Sequence, residues 1–245
     1  MSHTSESTAA ADRAWGKQEI MCRTSGVELC AVLEEAGDAL GTVVLVHGSG
    51  VTCRDGRNGF IASRLVDAGL CVVRLDLLAE SEAHDRHNVF DADLQARRLL
   101  DVTAWLRSRP DMRGLPLGYL GSGIGASVVL ETAGRAPERV SAVVVQGRAD
   151  AARFWLPRVV APTLVIADAH PRGETLVGEA TYESLGGERK LVRVSTPGHC
   201  FAEREAMSQV AHYAQRWFLQ HFAVDMARTR ARQAAADASA HPGAT

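Results

Sequence analysis

Apolar residues in this chain fall into short, nearly continuous runs, separated by stretches in which they recur every third or fourth position. Unbroken runs of about four to eight apolar residues read as strands buried on both faces, and the wider spacing reads as helices packed on them. The runs, some carrying a polar residue such as Arg74, Ser141 or Arg193, are Gly41–Val46, Cys71–Leu75, Leu117–Leu120, Val140–Gln146, Thr163–Ala167 and Lys190–Val194. Helical spacing predicts a helix at about Asn58–Ala68 and a second carrying Leu94, Leu99, Leu100, Val102 and Leu106, which Pro110 and Gly114 close. A third helix follows Leu120, and a last one covers about Glu203–Phe222. Ahead of them, Gln18–Thr24 and Val27–Glu34 flank Ser25-Gly26 and read as a hairpin. Strands alternating with helices predict an α/β protein with a doubly wound, mostly parallel sheet, the hairpin forming an antiparallel edge.

The chain divides into a tail at 1–15, a domain at 16–223 and an Ala- and Arg-rich tail at 224–245. The first tail is rich in Ser, Thr, Ala and charge without an apolar centre, so it reads as disordered and not as a signal peptide. The last reads as helix fading into disorder. Too few residues separate Val140–Gln146 from Thr163–Ala167 for a cap domain; Ala151–Trp155 forms a short helix at most. The pocket is therefore expected to be shallow and open.

With 245 residues, 46% of them hydrophobic, and a formal net charge of −2, the chain can bury one sizeable core and has no bias toward nucleic acid or membrane partners. A small molecule is the expected ligand, and composition leaves the oligomeric state open. All but Lys17 and Lys190 of the 27 basic residues are arginine, which carries no functional reading. Cys22, Cys30, Cys53, Cys71 and Cys200 are odd in number, spread out and without a C-x-x-C pair, arguing against a disulfide framework and against a zinc site. A cytoplasmic protein without cofactor or metal is expected, and no apolar run is long enough to cross a bilayer.

The chemistry-bearing stretch is Leu117–Leu130. An apolar strand meets Gly121-Ser122-Gly123-Ile124-Gly125 and then apolar residues at helical spacing, the context of a G-x-S-x-G nucleophile elbow. Only one register places glycine on both sides, with Gly121 and Gly125 flanking Gly123, so the central position carries no side chain. The same stretch imitates part of a dinucleotide fingerprint, but G-x-G-x-G lacks the third spacing.

Together with Val46-His47-Gly48-Ser49-Gly50, Leu75-Asp76-Leu77-Leu78, Asn88-Val89-Phe90-Asp91, Ala161-Pro162-Thr163-Leu164 and Pro197-Gly198-His199, the elbow makes the chain resemble the α/β-hydrolase fold. Within that fold it resembles the cap-less dienelactone-hydrolase-like group, including the hydrolase modules fused to phosphoribosyltransferases, whose transferase domain is not expected here. The resemblance covers roughly residues 26–222 and implies His199 as the catalytic histidine. It also implies an oxyanion hole formed by the backbone N–H groups of Ile124 and of Ser49 or Gly48.

The triad departs from the family at two positions. Gly123 stands at the nucleophile, and an ungapped match places Pro171 at the acid, leaving Asp168 or Asp150 to orient His199. Ser122, Ser49 and Cys200 are alternative nucleophiles, Ser127 is expected to pack under the elbow, and His47, Glu80, Glu82, Asp85 and Arg86 are candidates to line the pocket. Three readings follow: nucleophile-free acid–base chemistry on a small molecule through His199, a hydrolase with a displaced or removed serine, and a non-catalytic binding protein.

Overall fold

The structure, a computed structural model, describes residues 16–24, 26–47, 51–147, 149–169, 174–194 and 203–240. The expectations placed on the 1–15 tail, Gly48, Ser49, Pro171, His199 and Cys200 lie outside the described residues.

The described residues form an eight-stranded sheet in the order β1-β2-β4-β3-β5-β6-β7-β8. Strands β1 (Gly16–Arg23) and β2 (Glu28–Glu35) are the expected hairpin, antiparallel to each other, and β2 runs antiparallel to β4 (Cys71–Leu75). From β4 onward every pairing is parallel, through β3 (Thr42–Val46), β5 (Leu117–Ser122), β6 (Ala142–Gln146), β7 (Thr163–Asp168) and β8 (Arg189–Val194).

Because successive side chains on a strand point to opposite faces, each apolar run feeds two cores. Val44, Val46, Val73, Leu75, Tyr119 and Val145 pack on one face with helices α3 (Ala92–Ser108) and α4 (Ile124–Arg135). Val43, Leu45, Val72, Leu120, Val144 and Ile166 pack on the other with α1 (Gly56–Asp67) and α6 (Arg204–Ala240). Two polar groups are tied down inside. Tyr119 and Thr103 share a buried hydroxyl contact of 2.6 Å, and Arg74, 2% exposed, donates to Glu34 at 2.6 Å.

Three elements differ from the sequence reading. The polar segment after β4 contains a short helix, α2 (Arg86–Phe90), which Asp85 caps by accepting from His87 N–H at 2.8 Å. Helix α5 (Glu174–Ser184) lies between β7 and β8, where the sequence reading assigned no element. Helix α6 runs 37 residues to Ala240, well past the expected end at Phe222. Its last part is mostly exposed, and the Ala- and Arg-rich composition that suggested a fading tail is also strongly helix-forming. As expected, no cap domain interrupts β6 and β7: the 3-10 turns Asp150–Ala152 and Leu156–Arg158 fill the interval.

Candidate active site

Three connecting segments meet at the carboxyl edge of the sheet because of strand order. Strand β3 lies between β4 and β5, with Val46 opposite both Leu75 and Gly121. The next residues out, His47, Asp76 and Ser122-Gly123, therefore emerge side by side. Chain direction across the sheet reverses here, and open α/β sheets bind ligands in the crevice at such a point.

At the turn from β5 to α4, Gly123 has φ 59° and ψ −127°, a conformation that a residue with a side chain adopts only under strain of about 1–3 kcal/mol. Its N–H donates to the Gln146 carbonyl at 3.2 Å, and its own carbonyl accepts from Ala126 N–H at 3.1 Å, so the turn is fixed at both ends. The flanking glycines are needed for a different reason. A Cβ on Gly121 would lie 2.5 Å from the Gly125 carbonyl oxygen, and one on Gly125 would lie 2.5 Å from that of Val46. Strand and helix are packed too closely there for any side chain. Ser127 is buried on α4 as expected, whereas Ser122 ends β5 half-buried and is not among the residues lining the adjacent cavity.

That cavity, about 610 Å³, is within the usual size range for small-molecule sites. One wall comes from Met21, Glu28 and Cys30 of the hairpin, another from residues 75–89, and Ile124, the first residue of α4, closes the elbow side. The hairpin and the segment containing α2 thus supply walls in place of a cap. Apolar Val46, Leu75, Leu77 and Val89 surround a polar cluster.

Asp76 is the centre of that cluster. Its Oδ1 lies 2.9 Å from His47 Nε2 and accepts the Cys53 N–H at 2.7 Å. Burial pushes its carboxyl upward, but hydrogen bonds from His47 and Cys53 outweigh this and hold it below its ordinary value. Cys53 Sγ lies 3.6 Å from Cys30 Sγ, and burial together with the Asp76 carboxylate pushes the Cys53 thiol far above the ordinary range. Neither thiol is bonded in a disulfide. This cluster was missed in the sequence. Cys30, Cys53 and Asp76 are far apart along the chain, and the only local signal was an aspartate directly after a buried strand.

Of the other sequence candidates, His47 and Glu80 line the cavity. Asp168 is the buried last residue of β7, and Asp150 opens the 3-10 turn after β6; neither is among the cavity-lining residues. Arg86 is exposed, with its guanidinium over the Phe90 ring, and does not line the cavity. Glu82 is occupied structurally: it takes two hydrogen bonds from Arg98, at 2.8 and 2.7 Å, and one from Ala79 N–H.

A sheet of this order, with a glycine-flanked strand-turn-helix and a crevice beside it, defines an α/β-hydrolase fold. The chain belongs to the dienelactone-hydrolase-like proteins of that fold: it is 34% identical to a dienelactone hydrolase from Anabaena variabilis, covering 84% of this chain and 98% of that one with a TM-score of 0.81. Est1E from Butyrivibrio proteoclasticus shares the fold at a TM-score of 0.69 and 12% identity, covering 84% of this chain and 99% of its own. A Mycobacterium tuberculosis protein named provisionally as a phosphoribosyl transferase is 36% identical over 214 residues, 87% of this chain and 48% of its own. The chain thus spans about half the length of the curated relatives it matches. No family model matches it. No helix among the described residues is long and apolar enough to cross a membrane.

Proposed function

We propose that the chain is a small-molecule enzyme in which Gly123 occupies the nucleophile position of the elbow, and which works without a covalent intermediate. His199 moves the proton, oriented by Asp168 or Asp150. The N–H groups of Ile124 and of Ser49 or Gly48 stabilise an enolate or alkoxide as it forms. Isomerase, lyase and cyclase reactions fit this description. The observation that carries the reading is the β5–α4 turn: Gly123, at φ 59° and ψ −127°, presents no side chain beside a cavity lined by Ile124. Serine hydrolases stripped of their triad keep only about 10³–10⁴-fold catalysis over water, so ester turnover by the usual route would be feeble. A cytoplasmic setting is part of the proposal and rests on the five scattered cysteines.

The test combines a fluorophosphonate probe with the variant His199→Ala. The wild type should remain unlabelled, and His199→Ala should lower turnover of a responsive substrate by about 10²–10⁴-fold while leaving its binding nearly unchanged. Unchanged turnover removes His199 from the mechanism, and a ligand bound without conversion makes the protein a binder.

A second reading, hydrolysis of a dienelactone or related ester by a displaced nucleophile, is favoured by the 34% identity to a dienelactone hydrolase. Stoichiometric labelling of the wild type at Ser122, Ser49 or Cys200, with dienelactone turnover, would establish it in place of the first.

A further inference from the structure

Cys30, Cys53 and Asp76 reach one point from three separate elements. Cys30 is on β2, Cys53 is in the segment leading into α1, and Asp76 directly follows β4; their ligand atoms all lie within 4.8 Å of one another. We propose that these three side chains form a binding site for a borderline-soft divalent cation, zinc above all, with its fourth position open to the cavity. The site is independent of what replaces the nucleophile at Gly123.

The geometry favours a cation over other uses of two thiols. Two thiolates each about 2.3 Å from a tetrahedral zinc stand about 3.8 Å apart. The observed Sγ···Sγ separation is 3.6 Å. A disulfide would need the sulfurs at about 2.0 Å and would give the neighbouring carboxylate no role. A cation uses all three groups and balances the charge that a carboxylate and two thiolates would concentrate.

The second layer has the form that metal ligands usually require. His47 and the Cys53 N–H both hold Asp76 Oδ1, at 2.9 and 2.7 Å, which fixes the carboxylate before any ion arrives. His47 is a positioning residue here, and such outer partners are commonly worth about 10–100-fold in metal affinity. Cys30 and Asp76 line the cavity, whereas Cys53 is fully buried and does not. The protein ligands thus approach from one side of the cavity wall. Three protein ligands and one open position is the arrangement of catalytic zinc sites, where the open position takes water or a polarised substrate oxygen.

The experiment uses the full chain, purified with a non-chelating reductant, and zinc or cobalt(II) alone as the probe. One equivalent of zinc should bind per chain. Cobalt(II) should give thiolate charge-transfer absorption together with the intense d–d bands of a tetrahedral ion. Cys30→Ser and Asp76→Asn should weaken zinc by at least about 10-fold, and His47→Gln by about 10–100-fold. Cys22→Ser and Cys71→Ser, which alter buried thiols elsewhere, should leave binding unchanged.

If the Cys30 variant fails to fold, the wild type still decides the matter: zinc should protect the Cys30 peptide from alkylation and raise the melting temperature with its concentration. No stoichiometric metal, a cobalt spectrum lacking thiolate absorption, or full affinity in folded Cys30→Ser overturns the proposal. So does a reduced protein that ignores zinc and closes a Cys30–Cys53 disulfide in air.

Discussion

The conformation of Gly123 makes a quantitative prediction that needs no substrate. At φ 59° and ψ −127° a glycine is unstrained, whereas alanine at the same angles costs about 1–3 kcal/mol. The turn cannot easily rotate to relieve that strain, because hydrogen bonds to Gln146 and from Ala126 fix it on both sides. In domains of about 150–250 residues each kcal/mol lowers the melting temperature by about 2–4 °C, so Gly123→Ala should melt about 2–12 °C below wild type. Two controls bracket the result. Gly37→Ala has open space and an ordinary φ, so it should stay near wild type or gain up to about 1 kcal/mol. Gly121→Ala drives a Cβ to 2.5 Å from a backbone oxygen and 2.6 Å from Val129 Cγ2, so it should lose at least the about 1–3 kcal/mol typical of overpacking. Thermal and urea unfolding, with unchanged urea slopes, would measure all three. A Gly123→Ala protein as stable as wild type, alongside a destabilised Gly121→Ala, would refute the strained turn and the elbow assignment with it.

On the proposed reading, Gly123→Ser should acquire slow fluorophosphonate labelling, well short of an intact triad, because Asp168 or Asp150 must orient His199 from outside the family's acid position, where the sequence has Pro171, and loss of that acid can cost up to about 10⁴; labelling at the full rate of a serine hydrolase would show that the substitute carboxylate serves as well as the family's own. Glu34→Ala strands the Arg74 guanidinium, 2% exposed, and should cost about 3–5 kcal/mol in urea unfolding, most of it regained when Arg74→Met is added. Burial lowers the His221 pKa below its ordinary value, which the Glu188 charge only partly offsets. The unfolded chain then takes up a proton at about pH 6.5 before the folded chain does, so stability falls as pH drops through that region. His221→Phe should flatten the slope there, and an unchanged slope would remove His221 as its source. Tyr119→Phe, which removes the hydroxyl contact with Thr103, should cost about 1 kcal/mol.

The fold was legible wherever the signal was local. Cys71–Leu75 matches β4 at both ends, because an apolar run interrupted only by Arg74 between turn residues has few other solutions. The glycines at Gly121 and Gly125 have a steric reason: each sits where a Cβ would meet backbone oxygen. Helix α5 was missed because its apolar residues are sparse and it contains Gly178. The end of α6 was missed because an exposed helix of Ala and Arg has no buried stripe, and burial was the signal in use.

The site was legible only in part, since its groups are brought together by strand order and not by spacing. Wide separation of the cysteines led to the expectation of no metal site, an inference sound only for ligands that one loop or one hairpin must supply. A sheet in the order β2-β4-β3-β5 sets Cys30 of β2 beside the segment that follows β4, and carries Cys53 to the same place on the chain between β3 and α1. Sequence distance is a poor guide to ligand distance in such a topology, because neighbouring strands come from distant parts of the chain. The more useful indicator is the position of a residue relative to the carboxyl end of its strand. Asp76, His47 and Gly123 all fall within a residue or so of that edge, and Val46, opposite both Leu75 and Gly121, shows that the three edges are level. The fold therefore aligns these ends whatever side chains occupy them, and a crevice forms beside them even where the turn after β5 carries only the hydrogen of Gly123.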